Sequence, residues 1–454
     1  MIWFPIAFWC GEGWRNFWKA SAFFGIVFFA IQTGARAETG TPTYTRDVMS
    51  IIQESCQVCH RPGQIAPMSF MSYEEIRPWA KAIRKVVASR TMPPFHAETS
   101  LGEFENDSRL TKAEIAVIVG WVDGGAERGD PEDAPPMKDW LGSKWVIDEP
   151  DLVINYPEYV VGGDGKDEYV VFFPDHRFTE DRWVDSIEFR DPDYTSVHHA
   201  GIFAVDEAFS VPESKLSVID AKNFESSRTP FKPTEHILIE LLKQKFLYTW
   251  TPGFGLFHLS AGEGISIREG ESIIIQSHLG PGQESRVVDL SLALKFSDGL
   301  ITKSSHRMDP LVLKLEIPPG ESHYEVRRKR LVKEPIAVYA SWTHMHLRGK
   351  SNKFVFHYPD GRVDTAFDIR PFSFDWQRLY VLKDPFEVPA GTTIEFVGVW
   401  DNSSDNLFNP DPSKTVYWGG STLDEMYGAT LFYSKDLEEP FEVREGIAVV
   451  DEVK

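Results

Sequence analysis

The chain has 454 residues, a formal net charge of −21 and three cysteines. Its length allows two or three domains at ~100–200 residues each. The acidic excess disfavours nucleic acid and anionic membrane surfaces as partners, because both repel a polyanion.

The N-terminus reads as an export signal. Arg15 and Lys19 precede an apolar core, Ala20–Ile31, and Ala35-Arg36-Ala37 follows as an A-x-A cleavage site. The core is about 12 residues long, short of the roughly 20 that span a bilayer. Residues 1–37 are therefore expected to be removed on export to the periplasm or the medium; left uncleaved, they would act as a membrane anchor. They carry three basic residues and one acidic residue, so their removal takes the charge from −21 to −23. Cys10 leaves with them, and the mature chain keeps two cysteines, with none committed to disulfides. No later segment is apolar enough to cross a bilayer.

Residues 40–135 read as helical and rich in loops. Within them, Ser55-Cys56-Gln57-Val58-Cys59-His60 is a C-x-x-C-H run. That spacing lets Cys56 and Cys59 add across the two vinyl groups of one haem c, with His60 placed to ligate the iron. A redox dithiol would need no following histidine, and a zinc site would need a second ligand pair nearby, which the chain lacks. A second axial ligand is expected from Met92, Met68 or His96, unless the iron is open on that side. Met92 opens the run Met92-Pro93-Pro94-Phe95, which resembles the distal-ligand loop of small class I cytochromes c. Met68 and Met71 also suit core packing around a haem edge. Further on, Thr111 and Glu114 form a capping box, and Ile115, Val117, Ile118 and Trp121 continue an apolar stripe. That helix is expected to end near Gly124-Gly125, and Asp130–Pro136 is a Pro-rich linker.

From about residue 150 the pattern becomes short apolar or alternating runs bounded by turn residues. The runs are Glu168–Phe173, Ser196–Val205, Ser272–Leu279, Leu311–Ile317, Ile336–Trp342, Phe354–Tyr358 and Thr393–Trp400, with Pro359-Asp360-Gly361 as a turn. Many short strands point to β-sandwiches rather than a βαβ fold. Thr234–Phe246 is the one helix expected in this half.

Three histidine signals lie among these strands. His198-His199 is an adjacent pair, which on a flat strand would face opposite ways; both could reach one metal only at a bulge or a strand end. In Gln276-Ser277-His278, Gln276 and His278 share a strand face. His344-Met345-His346 is an i, i+2 pair, which points both imidazoles to one side. Copper accepts imidazole, and copper(I) also accepts a thioether, which Met426 of Asp424-Glu425-Met426 could supply. Each signal also has an ordinary structural explanation, as a core or surface side chain.

The run His344-Met345-His346-Leu347-Arg348-Gly349-Lys350 resembles the H-x-H-x-x-G-K run of the copper type II, ascorbate-dependent monooxygenases. That family includes peptidylglycine α-hydroxylating monooxygenase and dopamine β-monooxygenase. Those enzymes carry an H-H pair, a Q-x-H strand, an H-x-H run and a D-E-M methionine, and the four motifs fall in the same order here. The resemblance covers roughly residues 150–435, and residues 44–135 resemble the cytochrome c domain fused to this module in bacterial proteins. It implies a small all-α cytochrome c-like domain (38–137) followed by two tandem antiparallel, jelly-roll-like β-sandwiches (138–308 and 309–454).

It implies further that His198, His199 and His278 hold an electron-transfer copper. His344, His346 and Met426 would hold a second copper, where dioxygen is activated and a C–H bond of a small-molecule substrate is hydroxylated, with Gln276 among the catalytic-site residues. The two coppers would draw electrons from ascorbate, another donor, a redox partner protein or the fused haem. Trp342 stands where the peptide-processing enzymes carry an arginine for the substrate carboxylate, and Gly428 and Thr430 replace an asparagine and a tyrosine. A peptidylglycine substrate does not fit those changes. The disulfides of the animal enzymes are absent, so stability must come from the cores. Trp342, Trp376, Trp400 and Trp418 suit core packing or an apolar cleft. Two other readings stay open: a non-enzymatic electron carrier with a copper- or partner-binding β-module, and a structural or carbohydrate-binding module on a cytochrome.

Overall fold

Helices are concentrated in the first part of the chain, where apolar residues recur at helical spacing and Ser72 and Thr111 supply side-chain caps. The computed structural model describes residues 40–140, 145–163, 167–209, 240–280 and 284–443; residues 1–37, expected to be an export signal, lie outside them. The principal helices are Met49–Ser55, Tyr73–Ile76, Ala80–Ala88 and Lys112–Asp123. Lys112–Asp123 is the best specified: the Thr111 hydroxyl accepts the Glu114 N–H and the Glu114 carboxylate accepts the Thr111 N–H at 2.7 Å, and Gly124 closes the helix. Its inward stripe, Ile118 and Trp121, packs with Tyr44, Ile52, Phe70 and Ile83 into one apolar cluster.

After residue 150 the chain is almost entirely β-sheet and mostly antiparallel, which is the architecture that the alternating runs imply. A four-stranded sheet has the order Glu168–Phe172, Ser272–Leu279, Val197–Val205, Lys245–Trp250. A five-stranded sheet is built from Ala97–Thr99, Val363–Ile369, Gly349–His357, Thr393–Trp400 and Tyr324–Leu331. A nine-stranded sheet runs past both. One end, with Arg182–Arg190 and Ser291–Phe296, shares an apolar core with the four-stranded sheet through Ile187, Phe189, Ile202, Ile275 and Leu292. The other end, with Ile336–His344 and Gly428–Val443, shares a second core with the five-stranded sheet through Val338, Phe354, Phe367, Phe396 and Leu431.

The two ends of the large sheet meet at Gly299–Met308. This strand pairs antiparallel with Gly428–Val443 and parallel with Glu263–Ile267. No helix among the described residues is long and apolar enough to cross a membrane.

The boundaries differ from expectation in three places. Leu311–Ile317 is a strand only at Glu316–Ile317, because Leu311 takes a left-handed φ of 42° that breaks an extended run. Residues 234–239 of the expected helix Thr234–Phe246 lie outside the described residues; 240–242 are helical, and the last two residues belong instead to the strand Lys245–Trp250, held by pairing with Val197–Val205. Ala97–Thr99 is a strand that local pattern does not signal; it leaves the helical section to pair with Val363–Ile369, while Phe95, Leu101 and Phe104 pack into the second core.

Thr111→Ala should lower unfolding stability by about 1 kcal/mol, the usual cost of an N-cap. Denaturant unfolding followed by helix signal would read this, and an unchanged midpoint would mean that the box contributes nothing.

Candidate metal centre

One irregularity on the four-stranded sheet resolves the problem of the adjacent histidines. His278 pairs with His199, but the next residue, Leu279, pairs with Val197, so His198 is the extra residue of a β-bulge. The bulge lets both His198 and His199 reach His278, and one ligand atom from each of the three lies within 4.8 Å of the others. Beyond the bulge the two-residue period holds. His199, Gly201 and Phe203 share a face with Gln276, and all four line one cavity of about 320 Å³.

The H-x-H pair forms where Ile336–His344 ends. Met345 points into the second core and is fully buried, so its neighbours His344 and His346 point the other way. The backbone opposite must come close. Gly428 pairs with His344, and a Cβ at 428 would sit 2.8 Å from the His344 Cβ. Met426 lines the same cavity as His199, His344 and His346.

The two histidine groups are contiguous. The His199 and His344 rings are 5.2 Å apart, and Phe374 stacks on His198 at 4.8 Å with its ring 6.4 Å from His346. Burial first, and the neighbouring imidazoles second, hold the protonated forms down. His198 is pushed to about 3, and His199 and His346 lie well below the ordinary histidine value. His344 falls to about 4, chiefly by burial. These rings are therefore neutral at physiological pH, which is the form that binds metals.

The hydrogen-bond partners then fix which nitrogen carries the proton. His344 Nδ1–H donates to Gln377 Oε1 at 2.5 Å, and His346 Nδ1–H donates to the Asp424 carbonyl at 3.1 Å. Both Nε2 atoms are left as bare lone pairs, and they face each other at 3.2 Å inside the protein. Two buried acceptors at that distance repel unless a cation lies against both. His278 Nε2–H donates to Asp167 at 3.1 Å, which leaves Nδ1 as the lone pair, and that atom has no hydrogen-bond partner; nor has His199 Nε2. Buried polar atoms are almost always paired, so these orphaned nitrogens have the character of metal ligands.

A buried carboxylate organises the loop. Glu425 accepts the backbone N–H of His346 at 3.0 Å and of Arg348 at 2.7 Å, and the indole N–H of Trp400 at 2.9 Å. Burial raises its pKa to about 7 against those donors. Trp342 packs over His344 at 5.5 Å and donates its indole N–H to the Gln377 carbonyl, while Trp418 lines the cavity. The partners Gln377, Asp167 and Phe374 carry no sequence signal, since each is remote in the chain from the histidine it serves. Glu425 lies inside the Asp424-Glu425-Met426 run, and its proximity to Met426 is the signal that could have found it.

The cysteine run lies apart from this cavity, in the helical section. Burial raises the Cys56 thiol to about 12, and Cys59 is also raised, chiefly by burial. That is the opposite of the low-pKa thiolate of a redox dithiol. Among the described residues the only cluster of three or more metal-ligating side chains is His198, His199 and His278, so the cysteines have no zinc partners. His60 Nδ1–H donates to the Met68 carbonyl at 3.1 Å, and its ring stacks on Phe70 at 4.3 Å, leaving Nε2 as the free ligand atom. Met68 is thus on the Nδ1 side of the ring. Met92 follows the helix Ala80–Ala88, half-buried, with its N–H on the Val86 carbonyl at 3.2 Å.

Gln377→Leu should remove the acceptor that holds His344 in its tautomer and weaken metal binding by about 10–100-fold, the usual effect of losing such a partner. Competition with a copper(I) chelator would read the change, and an unaltered affinity would exclude this role.

No protein-family model and no curated protein matches the chain. Among solved structures, the VP2 subviral particle of infectious bursal disease virus aligns at 9% identity and a TM-score of 0.19, over 63% of this chain and 71% of that one. Peptide-N(4)-(N-acetyl-β-D-glucosaminyl)asparagine amidase aligns at 9% identity and 0.25, over 64% and 98%. The major capsid protein P2 of bacteriophage PM2 aligns at 9% and 0.21, over 55% and 98%. Likenesses this weak bear on neither function nor evolutionary kinship.

Proposed function

We propose that the chain is an exported, periplasmic or secreted copper-dependent monooxygenase that hydroxylates a C–H bond with dioxygen, with a c-type haem on Cys56 and Cys59 feeding or relaying electrons. The observation that carries the reading is the facing pair of bare Nε2 atoms on His344 and His346, beside three more converging imidazoles. In fold terms, the proposal is a cytochrome c-like domain ahead of two jelly-roll-like sandwiches, as in the copper type II monooxygenases.

The residues present fit both groups. His198, His199 and His278 would hold one copper, and His344, His346 and Met426 the other; three imidazoles tolerate both oxidation states, and a thioether favours copper(I). Copper, when bound, supplies one-electron redox chemistry with dioxygen. His60 and Met92 would ligate the haem iron, with the main-chain carbonyl of Met68 holding the His60 ring in its tautomer.

The chain's own residues supply the rest. Gln377, Asp424 and Asp167 fix the imidazole tautomers. Trp342, Phe246, Leu242 and Val312 give the cavity apolar walls that exclude water. Its two arginines are already engaged: Arg307 donates to the Leu242 carbonyl at 2.6 Å and pairs with Asp309 at 3.2 Å, and Arg330 donates to the Pro310 carbonyl at 2.9 Å. With Trp342 in place of an arginine, this cavity suits a substrate that is uncharged and apolar over most of its surface.

The contiguity of the two histidine groups favours a second reading, a non-enzymatic electron carrier with a copper-binding β-module. Oxygen consumption coupled to an apolar substrate separates the two.

Protein matured in a haem-attaching, copper-supplied periplasm should contain one iron and two coppers per chain. One iron without copper would remove the copper assignments. Met426→Ala should leave the haem spectrum intact while abolishing oxygen-dependent activity; full activity in that variant would exclude the thioether as a ligand.

A further inference from the structure

Arg378 is a buried cation whose partners leave it incomplete. It is 7% exposed. Its Nη1 donates to Ser108 Oγ at 2.8 Å and its Nη2 to the Asn106 carbonyl at 3.5 Å, and the guanidinium lies 5.7 Å from the Phe95 ring. Its Nε–H has no hydrogen-bond partner. Among the described residues no carboxylate is bonded to it; Asp107, the acid whose charge it feels, pairs with Arg109 at 2.6 Å. A guanidinium buried without a counter-ion carries an uncompensated desolvation cost, and an unpaired buried N–H adds to it. Its charge and its free Nε–H suit an anionic partner.

The surroundings indicate which one. The Arg378 charge is felt by Cys59, the second cysteine of the C-x-x-C-H run, and by His96, which ends the run from Met92. Phe95, against which the guanidinium rests, belongs to that same run. Arg378 therefore stands between the two stretches that bracket the haem on the reading above. Arg61, the other cation beside the cysteines, is engaged: it donates to the Gln57 and Val58 carbonyls and lies over the Trp140 ring at 4.3 Å.

We propose that Arg378 is the positioning residue for an anionic edge of the haem, a propionate accepting from its free Nε–H, and that it couples the haem to the His344–His346 side of the histidine cluster. The path offered by the chain is one residue long: the preceding residue, Gln377, accepts the His344 Nδ1–H. The anchor would then stand one residue from the acceptor of the H-x-H pair, and the same segment reaches the three-histidine group as well, where Phe374 stacks on His198. This inference rests on the haem reading of Cys56 and Cys59 and adds to it a specific anchor.

The test uses the full chain matured with haem and copper, as wild type, Arg378→Gln, Arg378→Leu and Arg378→Lys. Mass and absorbance first establish that haem is attached. A redox titration then gives the haem midpoint potential. Removing a positive charge beside a propionate favours ferric haem. In either neutral variant, whichever folds, the reduced-to-oxidised ratio at a fixed potential should fall about tenfold, which is ~59 mV for a one-electron couple. Arg378→Lys, which keeps the charge, should recover most of that loss. Attached haem with the same potential in the neutral variants would overturn the proposal and leave Arg378 a merely structural cation, visible only in thermal stability. A wild-type protein without attached haem would overturn the haem reading itself, and this inference with it.

Discussion

A single sheet runs through both apolar cores, and the geometry of the cavity depends on that continuity. Gly299–Met308 is the seam, paired on one edge with the long C-terminal strand and on the other with Glu263–Ile267. Because one hydrogen-bonded surface carries both halves, the strand bearing His344 is held at a set distance from the four-stranded sheet bearing His199 and His278. Two halves joined only by a linker would have no reason to keep two imidazole rings 5.2 Å apart.

Burying five imidazoles together is unfavourable unless each is neutral and each ring proton has an acceptor. Gln377, Asp424 and Asp167 meet the second requirement for three of them. The consequence is a set of inward lone pairs with nothing in the protein to satisfy them. A cluster serving only stability would be better built from apolar side chains of similar volume, which carry no desolvation penalty. The polar atoms left over thus mark the places where the fold serves binding rather than packing.

Much of this was legible in the chain, and the limits were physical. The Thr111–Glu114 box and the strands Ser272–Leu279 and Thr393–Trp400 follow from local chemistry, and the sheet-rich architecture follows from the runs of alternating residues. Sequence could state the condition for His198 and His199 to act together, a bulge, but not its presence, because a bulge is a property of the pairing between two strands. It could place His344 and His346 on one side by the two-residue period. It could not find Gln377, Asp167 or Arg378, whose roles arise from contacts between remote segments. The failed strand at Leu311–Leu315 shows the converse: an apolar run reads as extended until one left-handed residue redirects it.

The short strand Ala97–Thr99 carries a consequence for how the chain can be divided. It covers the outer edge of Val363–Ile369, and with it Phe95 and Phe104 enter the C-terminal core. A fragment beginning after the helical section would present that edge with its N–H and C=O groups unpaired and a gap in the apolar core behind it. Bare edges of this kind template intermolecular pairing. The cysteine-bearing section and the C-terminal half are therefore not interchangeable modules: cutting between them would yield a sticky remnant rather than a smaller folded protein.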